Sequence, residues 1–262
     1  MHTLRLSLAG TVILSLVGGL SSLVTAQGAT AQAVERDSIL FVGNSFTSAG
    51  GGIETHVAAL AESEDPPHTL TANASTIRGA TLKDHHEMRN PPGILGAIDV
   101  IREGGYDVVV LQDDIPKYAE HEVTPFLEYA RLFNAEIKDA GAQTVLFMTW
   151  PYERLDWVSL DEIVAAHRQV EAELGALVAP VGVAMANALA ERPDLAMLGP
   201  CAENESPAGA YLAAAVIYAT LFDRSPEGLP FHHWAVSMDD AASLQRVAWE
   251  TVQDWGRGEP SG

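Results

Sequence analysis

From residue 38 onward, short apolar runs alternate with amphipathic stretches, and this alternation constrains the fold more than any other feature of the chain. Extended runs are expected at Ser38–Thr47, weakly at His68–Ala72, then at Asp107–Gln112, Gln143–Thr149 and Leu177–Val183. Helical spacing is read over Ile53–Ser63, Leu82–Met88, Ile94–Arg102, Thr124–Ala140, Leu160–Leu174, from Ala184 onward, Pro207–Phe222 and Met238–Trp255. Strands separated by helices predict a mainly parallel sheet covered on both faces, an α/β fold of three layers (α/β/α). No repeat or linker breaks the pattern, so residues 34–262 read as one domain.

The N-terminus is set apart from that domain. Met1–Arg5 is weakly basic, Leu6–Val24 is apolar and small, and Ala31-Gln32-Ala33 or Val24-Thr25-Ala26 offers a small-x-small cleavage site. Residues 1–33 therefore read as a signal peptide, cut after Ala26 or Ala33, which sends the protein to the periplasm or outside the cell. No stable membrane insertion is expected after cleavage. The formal charge of −20 argues against nucleic acid or an anionic membrane as partner. Cys201 is the only cysteine, so no intramolecular disulfide can form.

The candidate chemistry begins at Ser38-Ile39-Leu40-Phe41-Val42-Gly43-Asn44-Ser45-Phe46-Thr47, an apolar strand ending in a small-residue turn with Ser45 at its tip. Open α/β sheets place ligands just past the carboxyl ends of their strands. Taken alone, the run also fits an ordinary turn in which Asn and Ser bond to backbone. Downstream, Arg78-Gly79-Ala80-Thr81-Leu82, the Val108–Gln112 strand, Pro180-Val181-Gly182 and Ser206-Pro207-Ala208-Gly209-Ala210-Tyr211-Leu212 follow in order. Together these segments resemble the blocks of the SGNH (GDSL-like) hydrolases, in a secreted bacterial branch with a Gly-Asn-Ser-Phe-Thr first block.

The resemblance implies an SGNH/flavodoxin-like sandwich and a serine hydrolase that needs no cofactor and no metal. Ser45 would be the nucleophile, and its own N–H and that of Gly79 would bind the oxyanion, with Gln112 as a further donor. Read without the resemblance, Gly79 is a turn glycine and Gln112 a strand-end residue bonded to backbone. The substrate class expected is a small-molecule or carbohydrate ester, such as an acyl group on a sugar. A catalytically silent SGNH-fold protein that binds a glycan or acylated ligand is the alternative.

One departure bears on activity. The family's Asp-x-x-His pair falls here on Cys201 and Asn204, and an amide has no titratable nitrogen to act as base. Asn204 is then left as a substrate-binding residue. The third block's Asn falls near Asp113 or Asp114, whose ionised carboxylates would repel an oxyanion. Three rescues of the activity stay open: Glu203 or Glu205 as base with a raised pKa, His232 or His233 as base from the C-terminal loop, or Cys201 as an alternative nucleophile that needs its own base or cationic partner. Adjacent His85 and His86 point in different directions on a helix, and no metal-ligand spacing appears. Trp150, Tyr152 and Trp157 suit either an acyl- or sugar-binding wall or plain packing.

Overall fold

The computed structural model describes residues 36–258 except Arg89, Pro92 and Tyr118. The expected signal segment, 1–33, lies outside the described residues. In chain order the elements are β1 (Ser38–Gly43), α1 (Ser45–Ser48), a 3-10 turn (Ala49–Gly51), α2 (Ile53–Glu62), β2 (Thr71–Thr76), α3 (Leu82–Glu87) and α4 (Ala97–Glu103). They continue with β3 (Val108–Gln112), α5 (Thr124–Asp139), β4 (Gln143–Phe147), α6 (Leu160–Leu174), β5 (Leu177–Ala179), α7 (Val181–Glu191), α8 (Pro207–Phe222) and α9 (Met238–Arg257).

The five strands form one sheet in the order β2-β1-β3-β4-β5, every neighbouring pair parallel. Strand side chains alternate between faces, and the core divides accordingly. Ile39, Phe41, Val110 and Phe147 pack with residues of α2, α7, α8 and α9, whereas Leu40, Val42, Leu111 and Leu146 pack with α3, α4, α5 and α6. This is the three-layer α/β/α sandwich expected from the alternation. The last two helices of the first layer differ in character. α8 is buried from Ala208 to Ala219 between its neighbours, while α9 keeps a polar outer face.

Several boundaries move, each for a local reason. The second strand is Thr71–Thr76 rather than His68–Ala72; it is the sheet's edge and partly exposed, so it carries no apolar run to announce it. β5 stops at Ala179 rather than Val183. Pro180 has no N–H to give the ladder and instead leads into α7, which starts at Val181 rather than Ala184. α4 begins after Gly96, whose N–H is held by Asp99 at 3.0 Å, leaving Ile94 and Leu95 exposed outside it. Ser45, expected in a turn, opens the short α1.

Candidate active site

The carboxyl ends of β1 and β3 meet tightly. A Cβ at Gly43 would collide with Gln112 Oε1 and Thr47 Oγ1, so only glycine lets β1 end here. Gln112 is buried at the end of β3, and its Oε1 accepts from the Asn44 N–H at 2.7 Å and the Thr47 hydroxyl at 3.2 Å. The Gln112 side chain thus braces the β1 turn from below. Its Nε2 is buried without a partner among the described residues. Buried Asn44 caps α1, its Oδ1 accepting from Phe46 N at 3.0 Å. The same side chain donates from Nδ2 to Ala80 O at 2.9 Å, which ties the Ser45 turn to the Gly79 loop.

Ser45 is half-buried at the first position of α1. Among the described residues, neither its N–H nor its hydroxyl has a hydrogen-bond partner. The first N–H groups of a helix have no partner within it and are available to a ligand. Gly79 sits at φ +68°, in the left-handed region, and the Ala80 N–H closes its turn onto Ile77 O at 3.0 Å. Its N–H is likewise unpaired among the described residues, while its carbonyl is held by Lys117 Nζ.

The two aspartates after β3 face inward and are already partnered. Asp113 Oδ1 accepts from Leu82 N at 3.2 Å and from Asp114 N at 2.8 Å, and burial pushes its pKa up to about 7. Asp114 accepts from the Tyr152 hydroxyl at 2.7 Å and pairs with Lys117 at 3.3 Å; burial still leaves its pKa above the usual carboxylate range. The expected repulsion is therefore softened by protonation at Asp113 and by Tyr152 and Lys117 at Asp114. From Tyr152 the polar chain runs on through Arg154, at 3.4 Å, to a two-pronged pair with Glu203 at 3.0 and 2.8 Å. Sequence reasoning missed Lys117 and Arg154. The Asp114–Lys117 spacing was the only local signal.

The loop before α8 is pinned by its cap. Ser206 Oγ accepts from Ala208 N and Gly209 N at 3.2 and 3.1 Å and donates to Ala196 O at 2.6 Å. On that loop Asn204 Nδ2 lies 3.8 Å from Cys201 Sγ, and its Oδ1 is buried without a partner among the described residues. Exposed Cys201 has its pKa lowered by the backbone N–H groups of Asn204 and Glu203. Arg154 lowers the pKa of Glu203, whereas burial raises that of Glu205 to about 7. Among the described residues both Glu205 oxygens are buried and unpaired, so this carboxyl has no hydrogen bond to Ser45.

His232 and His233 stand on the loop before α9. They line a cleft with His56, Gly50 and Gly51, at the far end of the turn that α1 opens. His233 Nδ1 accepts from Ala235 N at 3.1 Å and His232 Nδ1 meets His233 O at 3.2 Å; neither ring bonds to Ser45. His85 instead donates from Nε2 to Gly43 O at 2.8 Å, its pKa lowered by burial. Trp150 and Tyr152 are packing residues, their rings 5.1 and 5.5 Å from that of Phe46.

No family sequence model matches this chain, and no curated protein matches it. Solved structures do. A candidate SGNH hydrolase from Slackia heliotrinireducens aligns at TM-score 0.57 and 26% identity, over 71% of this chain and 99% of that one. The fold is that of the SGNH hydrolases. A DUF4886 family protein from Bacteroides uniformis aligns at TM-score 0.65 and 16% identity, over 86% of this chain and 97% of its own. An acetyl xylan esterase aligns at 0.51 and 15%, over 70% and 98%. On this SGNH fold the Ser45 and Gly79 loops are tied together through Asn44, and the chain carries an amide at position 204.

Proposed function

We propose that this chain is an exported SGNH-type ester hydrolase in which Ser45 attacks the ester carbonyl carbon. The observation that carries the reading is the pair of unpaired N–H groups, at Ser45 and Gly79, beside an unbonded hydroxyl. Preorganised donors of this kind are worth roughly 2.7–4 kcal/mol each to a developing oxyanion. The Ser45 Oγ–carbon bond forms as the hydroxyl proton passes to solvent. The carbon–oxygen bond to the alcohol then breaks, the alcohol leaving with a proton from solvent. Water hydrolyses the acyl-serine and restores the hydroxyl. A small-molecule ester is the substrate class, and an acyl group on a sugar agrees with the name of one fold neighbour.

No imidazole or carboxylate among the described residues accepts from Ser45, so hydroxide-dependent chemistry is expected. With 4-nitrophenyl acetate, the Ser45-dependent rate rises steadily with pH, without a plateau above the ordinary histidine pKa of about 6.5. Ser45→Ala removes this rate. A plateau that vanishes in His232→Ala or His233→Ala would instead make that loop the source of the base. Asn204 favours a second reading, in which the protein binds an acylated ligand or glycan and does not turn it over. Equal rates for the wild type and Ser45→Ala on aryl esters and acetylated sugars would establish that reading and end the first.

A further inference from the structure

A cleft of about 730 Å³ opens between the Ala49–Gly51 turn with the start of α2 on one side and the Phe231–Trp234 loop on the other. Small-molecule sites commonly occupy roughly 300–1,000 Å³. Trp234 stands at its rim 88% exposed, its ring 5.3 Å from that of His233. The His56 and His233 rings meet edge to face at 5.4 Å, and Phe231 lies 6.1 Å from His56. Among the described residues, none of these side chains is hydrogen-bonded to Ser45.

We propose that this cleft binds a neutral carbohydrate, one sugar ring stacked on Trp234 with its hydroxyls bonded by the three imidazoles. The inference deepens the carbohydrate-ester branch of the proposed function and rests on it only for biological sense, because the cleft's geometry is independent of turnover.

The chemistry of the walls selects the ligand. An indole face with open solvent before it suits the C–H face of a sugar ring, which is apolar while its rim is polar. The imidazoles supply that rim. His56 Nε2 must donate to the Gly50 carbonyl at 2.9 Å, which leaves Nδ1 as an acceptor in the neutral ring. His233 Nδ1 accepts from Ala235 N, so the neutral ring carries its proton on Nε2 as a donor. His232 Nδ1 donates to His233 O, leaving Nε2 as an acceptor. Hydroxyls, which both donate and accept, match such a mixed set. Burial and the neighbouring His56 lower the pKa of His233, which favours its neutral form.

Other ligand classes fit less well. Among the described residues no Lys or Arg lines the cleft, and a chain of formal charge −20 repels anions. Among the described residues no three His, Cys, Asp or Glu side chains converge as metal ligands. Gly50 and Gly51, on the wall of the cleft, adopt φ +61° and +99°, where L side chains are strained.

The test is calorimetric titration of the intact mature protein with xylotetraose, cellotetraose and mannotetraose, with tetragalacturonate and zinc chloride as contrasts. Unacetylated sugars have no ester to cleave, so the result is separate from the fate of the hydrolase reading. We expect one or more of the neutral tetrasaccharides to bind. Trp234→Ala should weaken that binding roughly tenfold, as loss of one stacking partner implies, and Trp234→Phe should keep most of it. Trp234 is too exposed for either change to unfold the protein, and circular dichroism checks this. The proposal is overturned if no neutral sugar binds, if Trp234→Ala binds as tightly as the wild type, or if only galacturonate or zinc binds.

Discussion

Glu205→Gln should make this protein more stable at alkaline pH and leave it unchanged in acid. Glu205 is 6% exposed, and both carboxyl oxygens are buried without a partner among the described residues. Desolvation therefore raises its pKa from 4.5 to about 7 in the folded state. The fold holds this proton more tightly than the unfolded chain does. The group's contribution is thus complete below about pH 4.5 and is lost as pH rises to about 7. At roughly 1.4 kcal/mol per pH unit the loss is ~3 kcal/mol. Glutamine keeps the shape and cannot ionise, so it matches the protonated acid at pH 4.5 and avoids the loss at pH 8. For a domain of this size ~3 kcal/mol is a rise of roughly 6–12 °C in Tm. Thermal unfolding of both proteins at the two pH values is the assay. Asp113 weakens both proteins alike over the same range, so the difference between them isolates Glu205. A Tm gap of equal size at pH 4.5 and pH 8 would refute the reasoning.

Asn44→Ala should cost about 2 kcal/mol in urea unfolding, because it removes the α1 cap and the buried bond to Ala80 O together; a loss below about 0.5 kcal/mol would contradict the bracing role. Gly209→Ala would drive a Cβ into the Met197 carbonyl and should cost about 1–3 kcal/mol, measured as a fall in Tm. Asn204→His combined with Cys201→Asp should introduce a plateau in the pH–rate profile with 4-nitrophenyl acetate near the ordinary histidine pKa, and an unaltered profile would show that position 204 does not reach Ser45. Mass spectrometry of the exported protein should find a new N-terminus after Ala26 or Ala33, and recovery of the full-length chain from the membrane fraction would count against export.

The architecture was legible because each buried strand announces itself. Ile39–Val42 and Val108–Leu111 are apolar on both faces, as strands covered by helices on each side must be, and no other element accommodates so short a run. β2 was misplaced because an edge strand with solvent on its flank has no such run to find. Helix ends were read correctly where a cap spells them out. Ser159 before α6 and Ser206-Pro207 before α8 hold the first N–H groups of their helices.

Within the site, local sequence determined what one turn of backbone can determine: the glycine that ends β1, the Asn cap and the serine that follows it. Electrostatics and reach lay beyond it. Whether Asp113 and Glu205 carry charge depends on how much water the folded chain excludes from them, since burial is the first cause of both raised pKa values. Gln112 reads as a donor in the sequence, and packing sets its oxygen on the Asn44 N–H and the Thr47 hydroxyl, leaving Nε2 buried without a partner among the described residues. Lys117 reaches Gly79, and His232 and His233 join His56 in one cleft, only because the sheet order and the loops after α8 bring them there. Side-chain identity at a strand end is local and survives in the sequence. The company a side chain keeps is a property of tertiary packing, and it decided which of these residues stand around Ser45.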